Sequence, residues 1–539
     1  MSWFNQQIAK IFPTYALKRE IALRRLRMLE KFKSEKRTFE AVAKGRGRYD
    51  LLSTARSPDA AIKGDIAALR EHVRQSEYNE GFVRGPIRRI VRESVGRGIR
   101  YQARLRADNN GYNFPKFTQE YATEWNYQAE KGFKTWNKQA DKRLISTFYE
   151  LQALADASLI RDGEVIAVGR ISTKRSRLIP YCIELMEADR LATPVEEITN
   201  PQIRNGIRYD EEGSPSAYFI YKHHPGEGYM VGMRGQDFEE IPAYFPNGLK
   251  KVMHIFSPMR PEQSRGFSEF GPGLKDLQDL ERYMEAEKMA ALEAACLTGI
   301  VTTENPKGFQ QAFTESSGSP DYERINEFGP GLWHYMRNGE KVDIFNPSRP
   351  NESFGAFVDQ LIRGPANALD VPPEVFSQNW KDFNYSNART VLLQFYSSMI
   401  MRQFHLVNHL CQPILENVIS WLVTKGLVNS DGFDRRRDDY FESAWIPSVY
   451  RKWVDPTKEA SGKQIGLETL VESLTEIVAE QGKDFEEHIE QIAREKQKIL
   501  EMEKQYGVTL TQPKKPASIV PKDEEEEQEA VKNLKIVKG

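Results

Sequence analysis

Apolar residues recur at three- and four-residue spacing along much of the chain, and that period predicts helices. Ser57 and Pro58 form a cap and first-turn pair. Two helices follow in "SPDAAIKGDIAALREHVRQSEYNEGFVRGPIRRIVRESVGRGIR", with Gly81 and then Gly85-Pro86 breaking the pattern and an end at Gly96 or Gly98. Further helices carry "FTQEYATEWNYQAEKGFKTW" and "TFYELQALADASLIRD", the latter with Leu151, Leu154 and Leu159 on one apolar side. The pattern then shortens to "EVIAVGRIS", "YCIELMEA", "IRNGIRYDEEGSPSAYFIYKHH", "YMVGMRG", "FEEIPAYF" and "KKVMHIFSP". These brief β-branched or aromatic runs, parted by turn signals such as Asp162-Gly163 and Glu212-Gly213, predict a small β-rich unit inside a helical protein.

The helical period returns abruptly after the Arg-, Pro- and Gly-rich stretch "FSPMRPEQSRGFSEFGPG". A helix over 273–297 would be roughly 35–40 Å long. A Gly/Ser/Pro-rich excursion with short strands follows (298–350), then a second helix ("SFGAFVDQLIRGPANALD"), the polar loop "SQNWKDFNYSNAR" and a long helix over 391–423. Leu467, Leu470, Leu474 and Ile477, then Phe485, Ile489 and Ile492, predict two closing helices parted by Gly482. Residues from 509 onward are Pro- and charge-rich with almost no aromatic content, and are expected to be disordered.

A chain of 539 residues exceeds one hydrophobic core and predicts roughly three or four compact units. With 40% hydrophobic and 28% charged residues and a net charge of −1, it is no globally basic nucleic-acid binder. Any DNA contact must be local. The basic stretch 18–48 can bind phosphate, or serve as a solvated or docking helix. Cys182, Cys296 and Cys411 form no CxxC pair, which fits a reducing compartment. The N-terminus has no secretory cleavage pattern, and no run approaches the eighteen or so apolar residues of a membrane span.

No phosphate-binding loop, nucleophile elbow, HExxH or calcium loop occurs, so catalytic residues, a cofactor and a metal are all expected to be absent. His405 and His409 stand one helical turn apart in "HLVNH", but no accompanying Glu completes a zinc set. His223 and His224 end a strand, where neighbouring side chains point to opposite faces. Asp162 and Glu164 flank a glycine in a hairpin-like context, which turn chemistry explains without catalysis. "FGPGL" at 270–274 and 328–332 is too short an echo to be a repeat. The helix over 273–297 bears Asp276, Asp279, Glu281, Glu285, Glu287 and Glu293 against Lys275, Arg282 and Lys288, which predicts one net acidic flank.

Six segments in order now carry a resemblance: "DIAALREHVRQSEYNEGFVRGPIRRIVRESVGRGIR", "DGEVIAVGR", "IRNGIRYDEEGSPSAYFIYKHHPG", "HIFSPMRPEQSRGFSEFGPGLKDLQDLERYMEAE", "DVPPEVFSQNWKDFNYSNAR" and "WVDPTKEASGKQIGLETLVESLTEIVAEQGKDFEEH". Over nearly its whole length the chain resembles the lambda-type portal proteins of tailed bacteriophages. It departs visibly at Glu77-Tyr78-Asn79, where the family more usually has Asn-Asn.

The resemblance implies an α+β, mainly helical fold of wing, stem, clip and crown, assembled as a ring of about twelve copies with DNA passing through its channel. It implies a basic extension (1–56), a wing (57–272), a first stem helix (273–297), a clip (298–350), a second stem helix (351–373), a tunnel loop (374–389), a long helix and wing return (390–460), a crown (461–508) and a tail (509–539). Gln378, Asn379, Trp380, Lys381, Asp382, Phe383, Asn384 and Tyr385 would form the tunnel loop, with Lys381 and Gln378 touching the DNA backbone and Trp380 and Phe383 as packing elements. Lys275, Asp279, Arg282 and Glu285 would line the stem channel, the acidic flank facing the DNA. Arg260 and Arg265 would brace the wing-stem junction against a neighbouring subunit, while Gly266, Gly271 and Gly273 would let the chain turn sharply.

The implied partners are further copies of the chain, double-stranded DNA, the terminase large subunit, the major capsid protein and head-completion or neck proteins, with no membrane. The implied place is the portal vertex of the virion, after assembly in the host cytoplasm. A head or neck adaptor without a channel, and less readily a nucleic-acid-processing enzyme, stand as alternatives.

Overall fold

A computed structural model describes residues 56–107, 117–173, 177–227, 237–296, 300–303, 340–343, 354–381, 383–447, 456–483 and 485–507. The basic stretch 18–48, most of 298–350, the "YMVGMRG" segment, the second "FGPGL", Asp382 and the residues from 509 lie outside them. The chain divides into compact units 1–61 and 62–539. In the first, the Ser57 hydroxyl accepts the Ala60 N–H (3.2 Å) and opens α1 (Pro58–Ile62), as the Ser-Pro pair predicts. All the other elements belong to the second.

Helices α2 (Ile66–Asn79) and α3 (Gly81–Ser94) meet at Glu80. The expected break at Gly85-Pro86 does not occur. Pro86 sits inside α3, where it is buried with Val83, Ile87 and Ile90, and packing outweighs its one lost hydrogen bond. Strand β1 (Ile99–Ala103) leads to α4 (Gln119–Asn137) and α5 (Phe148–Asp162), each opened by a threonine cap, Thr118 and Thr147. On α5, Leu151 and Leu159 are buried, whereas Leu154 is 45% exposed and leaves the expected stripe.

The β-rich unit is present as two antiparallel sheets. Strand β2 (Glu164–Ile171) lies between β3 (Tyr181–Met186) and β8 (Val252–Phe256). The other sheet runs in chain order: β4 (Ile203–Arg204), β5 (Ile207–Tyr209), β6 (Pro215–Tyr221) and β7 (Phe238–Pro242). Their facing residues, including Ile166, Ile220 and Ile241, make a small core of their own.

Helix α6 (Leu274–Cys296) then rises, β9 (Ile300–Thr303) pairs with β10 (Glu340–Asp343), and α7 (Phe354–Ala368) packs back against α6. A short α8 (Pro373–Ser377) precedes the long α9 (Tyr385–Leu406). Leu274, Leu277, Leu280, Ile362, Ala366, Phe376, Phe395 and Met399 join α2 and α3 in a second core.

The long helix continues through one π turn (Val407–Cys411) into α10 (Gln412–Thr424). Pro413 explains the turn: a proline cannot donate, and its ring crowds the carbonyl four residues back. The ladder slips, and the Gln412 N–H reaches the Val407 carbonyl instead. Helix α10 is buried along Ile414, Leu415, Val418, Ile419 and Leu422 in the largest core, against Trp125, Phe133, Trp136 and Tyr181.

After α11 (Arg437–Phe441), β11 (Ser443–Pro447) pairs with β1 some 340 residues earlier, a pairing no local pattern announces. The closing helices are three, α12 (Pro456–Glu468), α13 (Leu474–Glu480) and α14 (Phe485–Tyr506), not the expected two. Leu470 takes φ 58°, and Ser473 with Glu476 forms a capping box that starts a fresh helix.

Candidate functional site

The segment joining the β unit to α6 is organised by one buried carboxylate. Gly163 ends α5 in the left-handed conformation (φ 84°), which places Glu164 at the start of β2 with no exposed surface. The expected hairpin there is a helix-to-strand junction. Glu164 accepts from Arg70 Nη2 (2.8 Å), Arg265 Nη2 (2.6 Å), His254 Nε2 (2.9 Å) and the Gly266 N–H (3.1 Å). Burial alone would raise its pKa; Arg265 and His254 overcome that and hold the carboxyl well below the usual range.

Arg265 is committed within its own chain, donating also to the carbonyls of Leu191 (3.0 Å), Ala188 (3.0 Å) and Asn205 (3.3 Å). Within the chain, Arg265 ties the junction to the β unit. Arg260 lies on the exposed part of the same segment. Arg74 extends the network to Asp162 (2.8 Å) and Asp189 (2.7 Å).

Two of the junction glycines close tight turns, the Gly271 N–H reaching the Ser268 carbonyl (3.0 Å) and the Gly273 N–H the Phe270 carbonyl (3.0 Å), and Gly266 and Gly273 also permit close approach. A Cβ on Gly266 would stand 2.0 Å from the Gly163 carbonyl oxygen, and one on Gly273 2.4 Å from Pro365 Cα. Gly273 thus lets α6 and α7 touch backbone to backbone. Higher up, the Tyr283 ring stacks on Phe354 (5.6 Å) and meets Phe357 edge-on (4.9 Å).

The exposed face of α6 is not uniformly acidic. Lys275, Arg282 and Met289 follow one line at seven-residue spacing, with Asp279 on one side and Glu281 and Glu285 on the other.

The polar loop is shorter than 374–389. Helix α8 takes its first residues and α9 its last, leaving 378–384. Gln378 adopts φ 61° and donates its side-chain amide to the Val375 carbonyl (2.9 Å), while the Phe376 carbonyl accepts from Arg89. Trp380 is half-buried against the second core and meets Phe383 edge-to-face at 5.8 Å. Asn379 and Lys381 are exposed, and Asn384 caps α9 through the Asn387 N–H (2.9 Å). The Tyr385 side chain lies outside the described part of the chain.

Helix α9 is pinned behind the loop. Arg402 pairs with Asp156 (3.7 Å) and Glu269, and Gln403 donates to the Ser94 carbonyl (2.8 Å). Burial raises the pKa of Asp156 and Glu269, with Arg402 opposing it in both.

His405 and His409 lie ring to ring at 4.5 Å. Burial, then His409 and Arg402, push His405 down to about 4. Among the described residues, Glu187, Asp189 and His224 form the one cluster of metal-ligand type, but Arg74 stands 2.7 Å from Asp189 and 3.7 Å from Glu187 and supplies the positive charge there.

The Glu164 network escaped sequence reasoning because its members lie at 70, 164, 254 and 265. The signal available was Asp-Gly-Glu between an apolar helix and an apolar strand, which predicts a carboxylate in a buried place.

Residues 44–403 match the sequence pattern of a family described as phage portal protein, lambda family. The chain is 26% identical over 474 residues to a probable portal protein of Halomonas phage phiHAP-1, covering 85% of this chain and 86% of that one. It is 21% identical over 402 residues to the portal protein of Escherichia phage N15 (70% and 74% covered), and 21% over 355 residues to portal protein B of Escherichia phage lambda (62% and 66%). Among solved structures, it resembles a chain from the neck of an empty gene transfer agent particle, with TM-score 0.42 and 13% identity over 78% of this chain and 93% of that one.

Proposed function

Because this chain belongs to the lambda family of phage portal proteins, we propose that it assembles as a ring at one vertex of the virion capsid, through which DNA enters and leaves. The observation that carries the assignment of parts is the pair α6 and α7, packed backbone to backbone at Gly273 and Pro365 and leading through the short α8 into the loop 378–384. Such a pair makes a stiff stem, and the loop then sits at its end. The Lys275, Asp279 and Arg282 side of α6, with Glu285 at its edge, is the face assigned to the channel. Terminase, the major capsid protein and head-completion proteins are the partners this placement implies.

A channel has to let DNA slide, and each firm cation–phosphate contact adds affinity that resists sliding. The loop meets that need with one exposed lysine. Lys381 is assigned the transient backbone contact. Gln378, whose amide is engaged by Val375, contributes mainly to loop shape, and Trp380 anchors the loop through Phe383 and the second core.

Electron microscopy of the purified protein tests the ring: about twelve copies of 62.1 kDa give roughly 0.7–0.8 MDa around a central hole. Monomers alone would refute it. Particles carrying Lys381→Ala are expected to package DNA with altered rate or retention, and Trp380→Ala particles to do so with a disordered loop. Normal packaging and retention in both would remove the loop from the DNA path.

A further inference from the structure

Helix α3 carries four arginines, Arg84, Arg88, Arg89 and Arg92, against one carboxylate, Glu93. Its apolar side, Val83, Ile87 and Ile90, is buried, which turns Arg84, Arg88 and Arg92 outward as one line at four-residue spacing. Arg89 stands apart from this line and is engaged by the Phe376 carbonyl. Among the described residues, Arg92, 67% exposed, pairs only with its sequence neighbour Glu93. Among the described residues, Arg84 and Arg88 have no acidic partner.

Like charges one turn apart weaken a helix. This line is therefore unfavourable in the isolated chain. At Gly81, before the first of these arginines, an added Cβ would meet nothing within 4 Å, whereas at Gly85 it would meet the Arg89 guanidinium at 3.1 Å. The helix surface is therefore open at Gly81, and Arg89 covers it at Gly85.

A complementary imbalance lies on α6. Glu281 and Glu285 are exposed one turn apart, and among the described residues neither has a cationic partner. Glu281 also abuts Glu80, the residue that leads into α3. Burial, then Glu80 and Glu285, raise its pKa. One chain thus presents an unpaired basic line and an unpaired acidic pair, each at four-residue spacing.

We infer that the Arg84–Arg88–Arg92 line of one copy docks on the Glu281 and Glu285 flank of α6 in the next copy, forming a charged seam of the ring. A closed ring needs two different surfaces on every subunit, and these two differ in sign and agree in spacing. Duplex DNA would also attract the arginines. But the line repeated in about twelve copies would make tens of phosphate contacts and hold the duplex against sliding. The seam rests on the ring reading given above, and it turns the Glu281 flank toward the neighbour instead of the DNA.

The test uses the full chain in three forms: Arg84→Glu with Arg88→Glu, Glu281→Arg with Glu285→Arg, and all four changes together. Ring and subunit populations are read by mass photometry, with circular dichroism melts to confirm folding. Each double reversal is expected to lower the ring fraction at least about tenfold at fixed concentration. The fourfold variant is expected to restore it while the double variants melt with the parent; recovery that follows the melts would place the compensation within one chain, near Glu80, and overturn the seam. Should a reversal melt early, the milder Arg84→Gln with Arg88→Gln reads the same loss.

Rings of normal stability in both double variants would overturn the seam, as would folded double variants whose combination stays unassembled. Normal rings that lose affinity for a short duplex would assign the line to DNA and overturn it equally. A parent chain that forms no ring refutes the ring reading itself, whereas parent rings with indifferent variants refute the seam alone.

Discussion

Glu164→Ala is expected to destabilise the folded chain by about 3–5 kcal/mol, the range for removing one partner from a buried ionic cluster. Arg70, only 3% exposed, and Arg265 would keep their charges and lose the carboxylate they share. Chemical denaturation followed by circular dichroism measures the change. Glu164→Gln keeps the shape and loses the charge, so it is expected to fall between the parent and the alanine variant.

The pH dependence carries its own sign. Glu164 is held below its unfolded pKa, so its contribution is present above the ordinary glutamate value of about 4.3 and is lost as pH falls toward the lower folded value. The parent is expected to lose stability on acidification below about pH 4.3, and Glu164→Gln to show a shallower acid limb. An equal acid limb in both would mean that the network contributes no net stability.

Gly273→Val is expected to separate α6 from α7. A Cβ there stands 2.4 Å from Pro365 Cα and 2.8 Å from its nitrogen, both backbone atoms that cannot rotate away. Overpacking of this kind costs roughly 1–3 kcal/mol, and here the movement falls on a helix pair that Tyr283, Phe354 and Phe357 also clasp. A lower melting temperature and fewer assembled rings are the expected readouts. Gly355→Ala is the control: it lies in α7 with nothing within 4 Å of an added Cβ, and helix propensity predicts a neutral or slightly stabilising change. Equal melts for the two would show that the close approach at Gly273 is not needed.

What the sequence made legible was whatever depends on neighbours a few residues away. The period of Leu274, Leu277 and Leu280 announces α6, and the short β-branched runs announce the two sheets. The cap at Ser57 marks a helix start in the sequence, whereas the caps at Thr118 and Thr147 and the box at Ser473 and Glu476 came to light only in the fold.

The features that stayed hidden depend on distance along the chain. The β1–β11 pairing and the Glu164 cluster join residues hundreds or tens of positions apart, and neither leaves a local mark. Nothing near Arg265 in sequence shows the carboxylate, Glu164, that it bonds within the chain. The residues of the loop were legible as a polar interruption, but the shapes at its ends, a short helix at 373–377 and the Asn384 cap, trimmed it to seven positions.

The π turn at Val407–Cys411 gives one rod two bearings. Each extra residue in a helical ladder rotates all later positions by about 100°. Phe395 and Met399, before the slip, face the core shared with α6 and α7; Ile414, Val418 and Leu422, after it, face the aromatic core around Trp125, Phe133 and Trp136. A helix of unbroken phase would drift past one of these cores. The slip therefore sets a fixed angular offset between the two buried faces of one continuous helix.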